Sequence, residues 1–148
     1  MRLKKLMDKA RLIKKTGESD LLKFLGVRID VATDERVVLT MEVTPKVHQY
    51  LGIMNGGVSL YLCETAASIG VVAGADLTKV TPVGIEINAN HLRTVSKGFI
   101  TVEAKPIYTG QTMSVWNIEI KTSSGKLVCT SRCSILLQKR AAYQADKH

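Results

Sequence analysis

The residues of this chain that could do chemistry are concentrated in one segment, "HQYLGIMNGGVSLYLCETAAS". Glu64 is its only carboxylate, and the neighbours of Glu64 are small or apolar. Keeping such a group ionised on a buried helix costs free energy unless something compensates. Its presence suggests a general base or a nucleophile. The residues leave open a second interpretation, in which Glu64 lies on a solvated helix edge or pairs with a base such as Arg93.

Two glycines, Gly56 and Gly57, precede the run that carries Glu64. At a helix start they would leave backbone N–H groups free, and the helix dipole favours negative charge there. Such a start could hold a carbonyl oxygen as it becomes an oxyanion. Ser68 follows Glu64 by one turn on the same predicted face, so the carboxylate and the hydroxyl can act together.

The elements that must position these groups are visible as patterns. A run with few breakers from residue 58 to about 73 predicts a helix, weakened near its end by Gly70. Two strands are predicted around the turn "TDE". Four more follow in "TPVGIEINANHL", "GFITVEAKPIYTG", "MSVWNIEIKTSS" and "KLVCTSRCSILLQ". The third alternates cleanly and places Trp116 on its apolar face, and "SSGK" fits a hairpin turn. These patterns predict an α+β fold, with one long helix against an antiparallel sheet of five or six strands.

The two ends of the chain differ from this body. Apolar residues at helical spacing among Lys and Arg predict a short amphipathic helix at the N-terminus, which "TGESD" ends. We expect its apolar stripe to dock on the domain, although such a helix can also lie on an anionic membrane surface. The predicted organisation is an N-terminal helix and turn over 1–20, one domain over 21–138 and a polar tail over 139–148.

Composition narrows the class of protein. The 148 residues are 45% hydrophobic and 23% charged, which fits one globular domain. We find no stretch near the ~20 apolar residues of a membrane span and no secretory signal, which predicts a cytoplasmic protein without stable membrane insertion. The three cysteines form no Cys-x-x-Cys pair. They predict buried thiols rather than disulfides or a zinc site.

The charge of the chain is +8 with Lys and Arg spread along it, which favours anionic partners. Nucleic acid is disfavoured because only 5% of residues are aromatic and no binding motif is present. A phosphorylated small molecule would feel the same attraction.

Three blocks carry a family resemblance: "HQYLGIMNGGVSLYLCETAASIG", "GIEINANHLR" and "VWNIEIKTSSGKLVCTSRCSILL". They resemble the hotdog-fold acyl-CoA thioesterases, specifically the PaaI-like group that includes 1,4-dihydroxy-2-naphthoyl-CoA and enterobactin-proofreading thioesterases. The blocks occur in the family's order and spacing, and the resemblance covers residues 24–137. It implies a hotdog fold and hydrolysis of an acyl-CoA to a free acid and CoA, without a cofactor or a metal.

The resemblance also implies roles for matching residues. Glu64 corresponds to the helix carboxylate that attacks the thioester carbonyl or activates water. Gln49 corresponds to the loop glutamine that positions the thioester or the water, and Ser68 to the hydroxyl that orients the water or the carboxylate. The N–H of Gly56 corresponds to the oxyanion donor. In similar enzymes the site spans a dimer interface, so we expect a homodimer or a homotetramer made of dimers.

Further positions concern CoA and one departure from the family. His91 and Arg93 match family positions near the CoA moiety, where Arg93 could contact phosphate. Gly57 is also predicted to contact the substrate or CoA. His91 could equally be a structural histidine. The family usually has histidine where this chain has Asn55. The Asn55 amide could replace the histidine's hydrogen bond to the thioester carbonyl, or it could simply cap the helix.

Two rival functions stay open at this stage. A hotdog hydroxyacyl dehydratase would need an acid/base pair, commonly His with a carboxylate, and no histidine adjoins Glu64 in sequence. In a non-catalytic acyl-CoA-binding or regulatory protein, Asn55 in place of the family's histidine would reflect the loss of catalysis.

Overall fold

The computed structural model describes residues 2–140, with side chains described from residue 10 onward. The chain begins with helices α1 (Arg2–Gly17) and α2 (Asp20–Leu25), followed by strands β1 (Arg28–Ala32) and β2 (Val37–Val43). After a single 3-10 turn at Pro45–Val47 come the long helix α3 (Gly56–Gly74) and strands β3 (Val80–His91), β4 (Gly98–Thr109), β5 (Met113–Thr122) and β6 (Leu127–Lys139). The last residues of the predicted tail, 141–148, lie outside the described part.

The six strands form one antiparallel sheet in the order β1-β2-β4-β5-β6-β3. Helix α3 packs against all six of them. This confirms the predicted α+β fold and gives the sheet six strands. Among the described strands, β3 has a neighbour on one side only, so its outer edge is free.

Side-chain alternation along β5 builds the part of the core that faces α3. Trp116, Ile118 and Ile120 are at most 1% exposed, as the predicted alternation requires. The turn after β5 contains Gly125 at φ 79°, a conformation that favours glycine. The hairpin predicted at "SSGK" is therefore present between β5 and β6.

Helix α3 is lined by small residues because the sheet approaches it closely. A Cβ added at Gly70 would overlap the Trp116 indole ring. Gly70 therefore does not weaken the helix end as predicted. The helix continues to Gly74, and the glycine makes room for the ring.

By length and hydropathy alone, α3 is apolar enough to cross a membrane. The prediction that no stretch approaches a membrane span is therefore wrong on these two criteria. The packing of α3 inside the sheet gives another cause for its apolar composition, since a core helix passes the same test.

The N-terminal segment holds a helix that the sequence patterns did not reveal. "TGESD" ends α1 as predicted, but Ser19 then caps α2, accepting a hydrogen bond from the Leu22 N–H. Leu22 and Leu25 of α2 are buried, and Ile13 of α1 packs against the core. The described end of α1 thus docks on the domain.

Candidate active site

The start of α3 is organised by Asn55. Its backbone is extended, and its Oδ1 accepts a hydrogen bond of 2.7 Å from the Gly57 N–H. The expectation that both glycine N–H groups are free is therefore wrong for Gly57. Within residues 2–140 the Gly56 N–H has no acceptor. The helix start consequently offers this N–H as a donor to an incoming ligand.

Gly56 also lets β3 approach the helix. A Cβ built on Gly56 would lie 3.0 Å from Nε2 of His91, so the imidazole ring rests against the glycine. In the sheet, His91 pairs with Cys129 of β6 near the end of β3. The strand end and the helix start therefore place His91 beside the free N–H.

These groups line a cleft of about 320 Å³, here called the helix-start cleft. Its walls include Gln49, Gly56, His91 and Arg93. They also include Ser59, which is 1% exposed and which sequence reasoning missed. The signal for Ser59 was available, because it is a hydroxyl three residues beyond Gly56, on the same helix face.

Gln49 is held by a tight turn before the helix. Its backbone N–H donates to the Ile53 carbonyl at 2.8 Å, and its Oε1 accepts from the Leu51 N–H at 2.7 Å. With the side-chain oxygen engaged in this way, its NH₂ group is the part of the amide left to donate to a ligand.

Glu64 and Ser68 line a different cavity of about 310 Å³, here called the Glu64 cavity. Tyr61 and Thr65 of α3 share that wall. The opposite wall comes from the N-terminal helices and the turn between them, through Ile13, Thr16, Ser19 and Leu22. Tyr61 thus lies in the same cavity as Glu64.

Strand β3 supports the Glu64 carboxylate from the sheet side. A Cβ added at Gly84 would overlap Oε1 of Glu64. Gly84 adjoins an irregularity in the pairing of β3 with β6, between Gly84 and Glu86. A glycine within a strand often marks a bulge or a close approach, so this residue was recognisable in principle.

Within one copy of the chain, the predicted site residues therefore lie in two separate cavities. Glu64 and Ser68 line the Glu64 cavity, whereas Gln49, Gly56, His91 and Arg93 line the helix-start cleft. The sequence left open that Glu64 pairs with a base such as Arg93 or lies on a solvated helix edge. The ion pairs found among the described residues do not include Glu64, and its side chain is half-buried in the wall of the cavity, so the solvated edge fits better than the ion pair.

The three cysteines are free and buried, as predicted. Burial, together with the nearby carboxylates Glu64 and Glu86, raises the pKa of Cys133 to about 12. A hydrogen bond with Cys129, together with burial, raises the pKa of Cys63. These two thiols stay protonated at neutral pH and are poor nucleophiles. In the part of the chain that the structure describes, no cluster of three His, Cys, Asp or Glu residues could hold a metal.

A long helix packed against an antiparallel sheet that curves around it is the hotdog class of fold, and the comparisons with known proteins agree. The family model of the thioesterase superfamily matches residues 51–129. The chain is 40% identical over 120 residues to the 1,4-dihydroxy-2-naphthoyl-CoA hydrolase of Listeria monocytogenes, covering 81% of this chain and 97% of that protein. It is 39% identical over 118 residues to the Escherichia coli K12 protein of the same name, covering 78% and 85%.

A solved structure gives the same result. The thioesterase HI1161 of Haemophilus influenzae superposes with a TM-score of 0.80 at 34% identity, covering 88% of this chain and 90% of that one. The chain belongs to the thioesterase superfamily. It is a thioester hydrolase with the hotdog fold.

Proposed function

We propose that this protein hydrolyses acyl-CoA thioesters at a site formed between two copies of the chain. The observation that carries the proposal is the position of Glu64, which lies in a cavity and against Gly84 on the free-edged strand β3. A carboxylate there can attack a thioester carbonyl or remove a proton from water.

The geometry supports a separate role in hydrolysis for each residue around Glu64. The Gly56 N–H, lacking an acceptor among residues 2–140, would stabilise the negative charge that develops on the carbonyl oxygen. The NH₂ of Gln49, which makes no hydrogen bond with the residues that the structure describes, would hold the thioester or the water, and Ser68 would orient the water or the carboxylate beside Glu64. Asn55 would use its NH₂ group as a second donor to the carbonyl while its oxygen caps the helix.

The free edge of β3 supports assembly from two copies. An unpaired strand edge is a template for pairing with another chain, and natural proteins rarely leave a long one open. Pairing of two β3 edges about a two-fold axis would bring the Glu64 cavity of one copy near the helix-start cleft of its partner. We therefore propose a dimer, or a tetramer built from such dimers.

The helix-start cleft is suited to the CoA part of the substrate. His91 and Arg93 line it, and Arg93 can form charge-assisted hydrogen bonds with phosphate. The overall charge of +8 would attract a phosphorylated ligand to this surface.

The test is thiol release from a panel of short, medium, long and aromatic acyl-CoAs. We expect turnover in the wild-type protein and a decrease of roughly 10²–10⁴ in Glu64→Ala, the usual contribution of a positioned acid/base group. Glu42→Ala, which removes an exposed carboxylate on β2, is the matched control and should leave turnover unchanged. CoA binding without any turnover would identify a binding protein, and a changed acyl chain on an intact thioester would identify a dehydratase.

A second experiment tests the shared site. Glu64→Ala and Gln49→Ala subunits are each expected to be inactive, but a mixed dimer contains one site with both wild-type groups. After complete subunit exchange at equal amounts, about one quarter of all sites should be competent. No recovery after verified exchange would show that each site is built within one chain.

A further inference from the structure

The net charge of the chain is concentrated near its N-terminus. Although Lys and Arg occur throughout the sequence, residues 1–25 contain eight of them and only three acidic residues, so this segment carries +5 of the total +8. The segment contains helices α1 and α2. None of its described basic side chains lines the Glu64 cavity or the helix-start cleft. Contact with a substrate in these cavities therefore does not explain why the charge is concentrated here.

Helix α2 carries apolar side chains on its outer side as well as on its inner side. Leu22 and Leu25 are buried, whereas Leu21 is 49% exposed and Phe24 is 60% exposed. Leu21 and Phe24 are three residues apart, so they lie on one face of the helix. The inner pair is sufficient to dock α2 on the domain. The outer pair is apolar surface that folding of this chain leaves in contact with water, as at a site of interaction.

Helix α1 combines exposed apolar and basic side chains. Ile13 packs against the core. With about 3.6 residues per helical turn, Arg11 and Lys15 lie on the opposite side, and both are exposed. Leu12 is 42% exposed and precedes Lys15 by three residues, so the two share a face. The outer side of α1 is therefore both apolar and positively charged.

The basic side chains near these apolar residues are available to a partner. The ion pairs found among the described residues include none of the exposed basic side chains of α1 and α2, namely Arg11, Lys14, Lys15 and Lys23. Lys46 places its Nζ 5.6 Å from the centre of the Phe24 ring, so a positive charge lies beside the exposed aromatic side chain. Basic side chains next to exposed Leu and Phe are typical of helices that bind at the surface of a membrane.

We propose that the outer side of α1 and α2 binds an anionic membrane surface. This N-terminal docking surface consists of Leu12, Leu21, Phe24, Lys46 and the exposed Lys and Arg residues of 10–25. Its basic side chains contact the anionic lipid headgroups, and its apolar side chains enter the boundary between headgroups and acyl chains. The protein is attached to one face of the bilayer and does not cross it. This proposal is independent of the proposed hydrolysis.

Two other partners fit the N-terminal docking surface less well. Nucleic acid would satisfy the charge, but it offers Leu12 and Leu21 no apolar environment, and Phe24 is the one aromatic side chain of the surface for stacking on bases. A second copy of the chain could cover the apolar residues. It would also bring two segments of charge +5 together, and repulsion between like charges opposes this. An anionic bilayer satisfies both the charge and the apolar side chains.

Co-sedimentation with vesicles tests the proposal. The untagged protein is mixed with vesicles of phosphatidylcholine, with and without phosphatidylserine, at low and at high salt. The wild type should bind the vesicles that contain phosphatidylserine at low salt. It should bind weakly at high salt or to phosphatidylcholine alone, because salt screens the attraction and phosphatidylcholine has no net charge.

Two double variants separate the contributions of charge and apolar contact. Lys14→Gln with Lys15→Gln should weaken binding to phosphatidylserine vesicles by about 10- to 30-fold, since each basic residue near the surface contributes about 5-fold. Leu21→Ser with Phe24→Ser should weaken it by about 10-fold or more, because less apolar surface leaves water on binding. Thermal unfolding checks that each variant is folded at the assay temperature.

Matched control variants make the same kinds of change elsewhere on the surface. Lys126→Gln with Lys139→Gln removes two exposed charges from the β5–β6 turn and the end of β6, and Phe99→Ser removes an exposed phenylalanine from β4. Both controls should bind vesicles like the wild type. Equal weakening in a control and in the corresponding variant would show that the N-terminal docking surface is not the site, and would overturn the proposal.

Three further outcomes would also overturn it. The first is a wild type that does not sediment with phosphatidylserine vesicles at low salt. The second is binding to an RNA oligonucleotide but not to vesicles, with the RNA affinity retained in Leu21→Ser with Phe24→Ser, which would identify a nucleic-acid surface. The third is a smaller oligomer of that double variant in light scattering, which would identify the surface as a contact between copies of the chain.

Discussion

Asn55 uses its side-chain oxygen and nitrogen for different purposes, and two substitutions should separate them. Oδ1 caps α3 through the 2.7 Å hydrogen bond from Gly57, while the NH₂ group is proposed to donate to the thioester carbonyl. Asn55→Ala removes both groups. Asn55→Ser retains a good capping oxygen and stays neutral, but removes the amide donor.

The magnitudes follow from these two contacts. Loss of a capping side chain lowers the free energy of unfolding by about 0.5–2 kcal/mol. With an unfolding entropy of about 2.1 cal/mol/K per residue, a chain of 148 residues should lose about 2–6 °C in Tm. Loss of a donor to a developing oxyanion lowers turnover by about 10²–10³.

The assay combines thermal unfolding with thiol release at a temperature where all variants are folded. Asn55→Ala should lose both Tm and turnover, whereas Asn55→Ser should lose turnover with a Tm close to that of the wild type. Wild-type turnover in Asn55→Ser would refute the second role and leave Asn55 as a helix cap alone. An unchanged Tm in Asn55→Ala would refute the capping contribution.

Three further predictions concern other contacts. Gly84→Ala should displace the Glu64 carboxylate and lower kcat by roughly 10- to 100-fold, since misplacement by about 1 Å is costly; unchanged kcat would contradict the contact. Gly70→Ala should lower the free energy of unfolding by about 1–3 kcal/mol through overlap with Trp116, and Trp116→Phe in the same chain should recover part of it in a denaturant titration. Cys63 and Cys133 should resist a thiol reagent at pH 8 in the native protein, because burial and nearby carboxylates hold the pKa of Cys133 at about 12 and a hydrogen bond with Cys129, together with burial, raises the pKa of Cys63, whereas all three cysteines should react after unfolding; rapid labelling of native Cys63 or Cys133 would show that the core opens.

Much of the fold could be predicted because its strands carry strong local patterns. The bounds predicted for β3 to β6 agree with the structure to within two residues at each end. Period-two alternation with β-branched residues marks strands bordered by Gly98, Gly110 and Gly125. Helix α3 was recognisable by its length and lack of breakers. The run was predicted from residue 58, whereas the helix begins at Gly56 because Asn55 is its N-cap.

The missed features depend on contacts between distant parts of the chain. Gly70 looked like a weak point in a helix until Trp116, distant in sequence, was placed against it. Tyr61 joined the site only because the N-terminal helices close the Glu64 cavity from the other side. Periodicity describes which face of an element is apolar, but it does not say which element covers that face.

Trp116 is the only tryptophan of the chain and is 1% exposed, so it is a built-in optical probe of the core. Its fluorescence emission should be blue-shifted in the native protein and move to longer wavelength when water reaches the indole. Because Trp116 packs against Gly70 and lies outside both the Glu64 cavity and the helix-start cleft, the signal reports separation of sheet from helix rather than events at the proposed active site. Unfolding of any variant described above can therefore be followed without a label, except where Trp116 itself is replaced.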